Sequence, residues 1–429
     1  MAKVLVVGQG GREHVLAWKL NQSPLVDEVF CAPGNAGTAA DVTNVDIKSD
    51  DCERLVQFAR ENEIDLTVVG PEAPLVAGIV DQFKAAGLLV FGPSKAASAL
   101  EGSKAFCKDI MRKANVPTAD YWVFTDPTDA VQFIQEREEE AFVVKADGLA
   151  AGKGVSVCTN KADAIQAVHE MMTDNVFGDA GKKIVIEEVL EGQEVSILAL
   201  IDGRTIVTLE PAQDHKAAHD GDTGPNTGGM GSHSPAFALS DELRETIVTT
   251  VIEPTIAGMA AEGREYRGIL YAGLMLTSDG PKVLEFNCRL GDPETQSVLR
   301  RFSGDLATVF AAAADGRLEP GSMGWIDDAA ACVVLAAEGY PEGPRVGDEI
   351  TGVDDADAIP GVVVFHAGTR NDNGGLLTSG GRVLSVTATG ATLEEAVGLA
   401  YRAADTIRYD GIHRRSDIGA DTMGRKEIG

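Results

Sequence analysis

Residues 283–296 read Val-Leu-Glu-Phe-Asn-Cys-Arg-Leu-Gly-Asp-Pro-Glu-Thr-Gln. The first half is predicted as a strand, because Val283, Leu284 and Phe286 are β-formers. Side chains two apart share a face, so Glu285 and Asn287 point one way and Leu284, Phe286 and Cys288 the other. A carboxylate and an amide oxygen at this spacing are hard-oxygen donors suited to magnesium, which takes few protein ligands and leaves room for phosphate oxygens. A tight charged turn follows, with Arg289, Gly291, Asp292, Pro293 and Glu294. Taken alone, Glu-x-Asn also reads as a solvated strand end, since motifs this short are common by chance.

Two further stretches carry possible chemistry. A predicted strand at 142–145 ends on Lys145 and runs into Ala-Asp-Gly-Leu-Ala-Ala-Gly-Lys-Gly-Val, 146–155. A Walker loop needs Gly-x-x-x-x-Gly-Lys-Ser/Thr. Here Gly148 and Gly152 stand too close, and Gly154 follows Lys153 in place of a hydroxyl residue. The stretch reads as a glycine-rich hairpin able to close over phosphates. Lys104, at a predicted helix start, is either a phosphate contact or a solvated lysine. The tract 212–235 has almost nothing apolar to bury and four glycines between 221 and 229. Such a tract is disordered or functional, and Asp214, His215 and Lys216 at its start suit a small zwitterion.

These residues need elements to position them. Residues 1–100 alternate strand and helix, with strands predicted at 3–7, 28–32, 66–69 and 88–91, a pattern that gives a parallel sheet. Each strand ends in small turn residues: Gly8-Gln9-Gly10-Gly11, Pro33-Gly34-Asn35-Ala36-Gly37, Gly70-Pro71-Glu72 and Gly92-Pro93. Ligands of open α/β sheets sit beyond such strand ends, where glycines let amides approach a phosphate. The first loop begins like a dinucleotide fingerprint, but Glu13 stands at the third glycine and the second strand has no acid at its end. That points to a small phosphate ligand and away from NAD. A long helix from Ser240 is predicted to bend near Pro254. Residues 327–429 read as a small α/β domain with a capping box at Thr392–Glu395. There Asp354, Asp355 and Asp357 read as a solvated loop, and His413, Arg414 and Arg415 as surface, the alternative being a substrate edge.

The 429 residues suggest about three domains. No apolar run approaches the ~18 residues of a membrane span, and Met1-Ala2-Lys3 leads straight into a strand, so no secretory signal is expected. Six scattered cysteines without Cys-x-x-Cys argue for a reducing cytoplasm and against a zinc site. The formal net charge of −29 disfavours nucleic acid and acidic membranes as partners. It also suits a protein from a very salty cytoplasm.

In their order and wording these stretches closely resemble the glycinamide ribonucleotide synthetases (phosphoribosylamine–glycine ligases) of the ATP-grasp superfamily. The resemblance spans the whole chain and rests on VVGQGGREHVLAW (6–18), APGNAGT (32–38), VVGPEAPLV (68–76), FGPS (91–94), LEGSKAF (100–106), VVKADGLAAGKGV (143–155), DTGPNTGGMG (222–231) and EFNCRLGDPETQ (285–296). It implies an α/β protein, α+β overall, with an ATP-grasp fold. The implied parts are a Rossmann-like domain (1–101), a central domain (102–125 and 194–326), a lid (126–193) and a C-terminal domain (327–429). The implied reaction joins glycine to 5-phosphoribosylamine at the expense of ATP, through an acyl phosphate, in purine biosynthesis. The resemblance implies Mg2+ or Mn2+ on Glu285 and Asn287. It implies ATP on Lys104, Lys145, Gly148, Gly152, Lys153, Gly154, Glu187, Val189 and Glu194. It gives Arg289, Lys216 and Asp214 to catalysis. Gly8, Gly10, Gly11, Asn35, Gly37, Glu72, Asp292 and Glu294 are implied for the other substrates. A cytoplasmic monomer acting on small molecules is expected. The preceding strand, around Gly273, lacks the second metal acid common in the superfamily. The rival readings are another ATP-grasp ligase or carboxylase, against which Gly8–His14 and Asn35 argue, and a nicotinamide oxidoreductase, against which the broken fingerprint argues. A non-catalytic binding protein is disfavoured because none of the motif positions is lost.

Overall fold

Strand–helix alternation at the amino terminus closes into a parallel sheet, with strands Thr43–Asn44, Val26–Pro33, Ala2–Gly8, Leu66–Val69 and Val90–Phe91 side by side in that order. The computed structural model describes residues 2–150, 154–174, 176–236 and 239–420. Val4, Leu5, Val6 and Val7 are all buried, as a parallel strand covered on both faces requires. Strand order reverses between Ala2–Gly8 and Leu66–Val69. The loops after these two strands therefore border the crevice where such sheets take ligands.

The central sheet is antiparallel, in the order Ile206–Thr208, Gln193–Asp202, Arg267–Thr277, Gly280–Asn287. It shares its core with the first sheet. Leu5, Val7 and Phe83 pack in one cluster with Val195, Leu270 and Phe286. Val4 and Val6 join Leu198, Ile269 and Phe310 in another. Phe286 is only 2% exposed, and cutting such a ring back to Ala costs about 3–5 kcal/mol. A smaller antiparallel sheet, Tyr121–Phe124, Ile184–Glu187, Phe142–Ala146 and Val155–Cys158, has its own core under helices Pro127–Glu136 and Lys161–Val168. Asp126 caps the first of these helices, and Pro127 sits in its first turn. The predicted bend near Pro254 is a π turn, Val248–Ile252, between helices Asp241–Ile247 and Glu253–Ala261.

Three expectations need correction. The tract 212–235 is no open loop. It holds strands Gln213–Asp214, Ala217–His219, Thr223–Asn226 and Gly231–Ser234. Gly231–Ser234 pairs with Ala329–Ala336, so the ladder Gln213–Asp214, Gly231–Ser234, Ala329–Ala336, Arg382–Gly390, Val362–His366 crosses the expected boundary at 326/327. Ser232, His233 and Ser234 are buried because their backbone is spent in that ladder, a constraint that side-chain polarity cannot reveal. Second, Arg415 is a buried clamp, 2.7 Å from Asp222 and from Asp417, and His413 Nε2 lies 2.8 Å from the Ala218 carbonyl. Arg414 alone matches the surface reading, pairing with Asp405. Third, 353–357 is a short helix, Val353–Asp357, and Asp357 accepts the Val364 amide at 2.9 Å.

Candidate active site

Between these sheets lies a cavity of about 640 Å³, within the usual size of a small-molecule site. Strand Gly280–Asn287 forms one wall. Its pairing departs from simple alternation: Glu285 faces Gly273, but Val283 faces Leu274, leaving Leu284 as an extra residue. This bulge turns Val283, not Leu284, into the core with Phe286 and Cys288. The freed Leu284 carbonyl accepts Lys145 Nζ at 3.1 Å. Glu285 and Asn287 both line the cavity, with Asn287 Nδ2 3.4 Å from Glu285 Oε1. Against the cost of burial, the ammonium groups of Lys216, Lys145 and Lys104 hold Glu285 below the usual carboxylate range. Among the described residues no three His, Cys, Asp or Glu side chains gather as a metal cage. One anionic and one neutral oxygen donor beside several cations fit a magnesium ion that shares its shell with phosphate oxygens.

Lys145 projects from Phe142–Ala146 and Lys104 from the start of helix Lys104–Lys113; both line the cavity. Lys145 Nζ is 2.9 Å from Glu187, whose other oxygen is 3.0 Å from Lys108. Glu187 is thus a buried carboxylate between two ammonium groups, and its side chain is committed to them. Lys104 Nζ donates to the Gly148 carbonyl at 3.1 Å, and burial lowers its pKa. Gly148, Gly154, Val189 and Glu194 also line the cavity. Gly152 and Lys153 lie outside the described residues.

The third wall joins Asp214, Lys216, Arg289 and Glu294. Asp214 Oδ1 is buried without a hydrogen-bond partner. Burial, then the nearby Glu294, push the Asp214 carboxyl well above its ordinary pKa. Gly229, at φ +119°, makes this wall possible: a Cβ there would lie 2.6 Å from Asp214 Oδ1 and 2.3 Å from Pro293 Cδ. Lys216 is 3.6 Å from Glu194 and 4.0 Å from Glu285. Burial opposes its charge, but Tyr271 and these carboxylates raise its pKa well above the ordinary value. Arg289 Nε sits 3.4 Å from Glu72 and 3.5 Å from Glu101.

At the amino-terminal end the structure sorts the predicted residues. Glu72 and Asp292 reach the cavity, with Arg12 and Arg382 beside them. Gly8, Gly10, Gly11, Asn35 and Gly37 do not line it. Glu13 fills the space below the first loop: it accepts the Gly10 amide at 2.6 Å, and Cβ atoms on Gly8 or Gly70 would meet it at 2.3 and 2.1 Å. Asn35 is buried and spends its side chain internally, donating to the Gln9 and His366 carbonyls and accepting from the Gly37 and Thr38 amides. It organises the loop, because its hydrogen-bonding capacity is used up.

Sequence reasoning missed Arg12, Glu101, Lys108, Tyr271 and Arg382. Lys108 was detectable, one helical turn from Lys104. Glu101 sat inside a recognised motif, and it accepts the Cys288 amide at 2.8 Å. Arg382 left no local signal, since it meets Asp292 only across the fold, at 3.3 Å.

Known proteins match this chain along its length. Family models for phosphoribosylglycinamide synthetase match residues 2–101 (N domain), 102–295 (ATP-grasp (A) domain) and 330–421 (C domain). A phosphoribosylamine–glycine ligase of Rhodopirellula baltica is 53% identical over 421 residues, covering 97% of this chain and 96% of that one. One from Salmonella typhimurium is 51% identical over 429 residues, covering 99% and 100%. The crystal structure of the Thermotoga maritima phosphoribosylamine–glycine ligase superposes with a TM-score of 0.83 at 35% identity, over 97% of this chain and all of that one. A Campylobacter jejuni biotin carboxylase, at TM-score 0.72 and 16% identity over 96% and 92%, shares the fold alone. Identity at this level along the full length leaves one assignment for the sheets and cavity described above: the chain belongs to the phosphoribosylamine–glycine ligase family of ATP-grasp enzymes of purine biosynthesis.

Proposed function

We propose that this chain joins glycine to 5-phosphoribosylamine through glycyl phosphate, with the activation step run in the cavity between Lys145, Glu285 and Arg289. A glycine carboxylate oxygen attacks the γ-phosphorus of ATP and ADP leaves. The amine of phosphoribosylamine then attacks the glycyl carbonyl and loses a proton, and inorganic phosphate leaves with that oxygen. Lys104 and Lys145 hold the phosphates, Gly148 and Gly154 lie alongside, and Glu187, Val189 and Glu194 border the nucleoside. Lys153 and Gly152 belong to the same loop by sequence. Arg289 presents the glycine carboxylate, and holding both reactants in line supplies much of the rate. Asp214 and Glu294 receive the glycine ammonium, and Lys216 stabilises the charge that develops beside it. Glu72 and Asp292 flank the phosphoribosylamine. Glu285 and Asn287 would hold magnesium, or manganese, which neutralises phosphate charge as the phosphoryl group moves.

The observation that carries this reading is the Asp214 oxygen, buried without a partner in the same cavity as the phosphate-facing lysines. It awaits a cation, and the glycine ammonium has the right charge and size. We read the division of labour as sugar phosphate on 1–101, nucleotide under 126–193, and chemistry on the central sheet, in a cytoplasmic monomer. Glycine labelled with heavy oxygen in its carboxylate tests the route. One labelled atom per inorganic phosphate is expected; label in AMP, or in no phosphorus product, would exclude glycyl phosphate.

A further inference from the structure

Helix Lys104–Lys113 begins at the cavity with first-turn amides that have no partner inside the helix. Ser103 satisfies one of them, accepting the Phe106 amide at 3.2 Å. The other two go to a residue of a different element. The Lys104 amide donates to the Asp147 carbonyl at 3.0 Å, and the Ala105 amide to Asp147 Oδ1 at 2.7 Å. Ser103 Oγ also donates to the same carboxylate, at 3.1 and 3.2 Å. Lys183 Nζ lies 3.4 Å from Asp147 Oδ2, and the Asp147 amide donates back to the Lys183 carbonyl at 2.9 Å. Asp147 directly follows strand Phe142–Ala146, which bears Lys145, and directly precedes Gly148, whose carbonyl receives Lys104 Nζ at 3.1 Å.

We propose that Asp147 is a positioning residue for ATP, acting through Lys104: by capping the helix from outside, it fixes the Lys104 ammonium relative to Lys145. The proposal rests on the reading of Lys104 as a phosphate contact. An ordinary cap residue lies next to its own helix in sequence and fixes only that helix. Asp147 is 44 residues downstream of Ser103 and welds the helix start to the strand carrying the second lysine. Two cations on separate elements contact adjacent phosphates productively only if their spacing is held, and small misplacement is expensive. Asp147 meets no nucleotide in this scheme. Its effect passes through Lys104.

A double-mutant cycle on the full-length enzyme tests this, with KM for ATP, KM for glycine, kcat and the unfolding midpoint read for each variant. Lys104→Ala alone is expected to raise KM for ATP about tenfold, the scale of one charge-assisted contact. If it does not, the phosphate-contact reading of Lys104 fails and the proposal falls with it. Asp147→Ala is expected to raise KM for ATP about as much, with KM for glycine unchanged within roughly twofold. Asp147→Asn keeps an oxygen for the Ala105 amide and Ser103 hydroxyl, and should restore most of the affinity. In the Lys104→Ala background, Asp147→Ala should add little further to KM for ATP. Independent, multiplying effects would overturn the proposal. So would a lowered unfolding midpoint with KM for ATP unchanged, the signature of a merely structural cap. Should Asp147→Ala fail to fold, Ser103→Ala with and without Lys104→Ala gives the same cycle at smaller amplitude, and multiplying effects there would equally overturn it.

Discussion

Glu187 sits between Lys108 at 3.0 Å and Lys145 at 2.9 Å, with all three side chains nearly closed to solvent. Two positive charges on one carboxylate leave a surplus of one, and that surplus faces the cavity. In a chain of net charge −29, cavity walls of low dielectric make such placed charges count where surface charge is screened. Asp214 is the opposite case, a buried carboxylate with one oxygen left without a hydrogen-bond partner, where burial and Glu294 outweigh the nearby Lys216 and Arg382. Its raised pKa means that a proton occupies it over a window above the ordinary carboxylate range. In the proposed scheme glycine's ammonium needs the ionised form. As pH falls through the raised value, glycine must displace a proton, and its KM should climb about tenfold per pH unit; above that value KM should be flat. The raised pKa follows from burial and from Glu294, so Asp214→Asn should abolish the slope while raising KM at all pH values. Steady-state kinetics from the ordinary carboxylate range upward in pH would check both, and an unchanged slope in the variant would show that another group titrates.

Among the elements, strand Gly280–Asn287 shows what a sequence reveals and what it withholds. Its strand character and the shared face of Glu285 and Asn287 follow from residue type and period. The bulge at Leu284 does not, because a one-residue insertion in a ladder depends on the partner strand. The parallel sheet of residues 2–91 was legible for the reason the bulge was not: buried strands between helices write a repeating apolar signal into the chain. The internal hydrogen bonds of Asn35 could not be read from its motif, since its partners, Gln9 and His366, come from two other segments. Arg415 looked like surface because a charged side chain usually is, and Asp222, Asp417 and the Ala217 carbonyl together make its burial tolerable. The tract 212–235 hid its strands behind glycine. One of those glycines gives a sharp test. Gly229→Ala drives a methyl group at Asp214 and Pro293. KM for glycine should rise at least tenfold while ATP affinity measured by calorimetry stays within about twofold, since the nucleotide side of the cavity is untouched. Equal losses for both ligands would mean that the wall collapses as a whole.

For the whole molecule, the two cores shared by the first and central sheets make those parts one body, and the acidic surface sets how that body responds to its solvent. Self-repulsion from −29 charges is screened by salt. The unfolding midpoint should therefore rise between 0.1 M and about 2 M potassium chloride; a flat or falling midpoint would mean that the charges are already well dispersed. The sheet built on Ala329–Ala336 behaves differently. Gly231–Ser234, in the tract that carries Lys216 and Asp214, is paired with Ala329–Ala336, and Arg415 clamps the same tract from still further along the chain. A ribosome delivers these pieces in sequence, at about 5–20 residues per second, so the tract waits of the order of 5–20 s for its strand partner and longer for its clamp. The first two sheets can be complete by then, but the cavity wall that holds Asp214 and Lys216 cannot. A nascent chain that has not yet reached Ala329–Ala336 therefore carries Lys104 and Lys145 without the finished wall of Asp214 and Lys216, so half of the cavity is built long before the other half can close it.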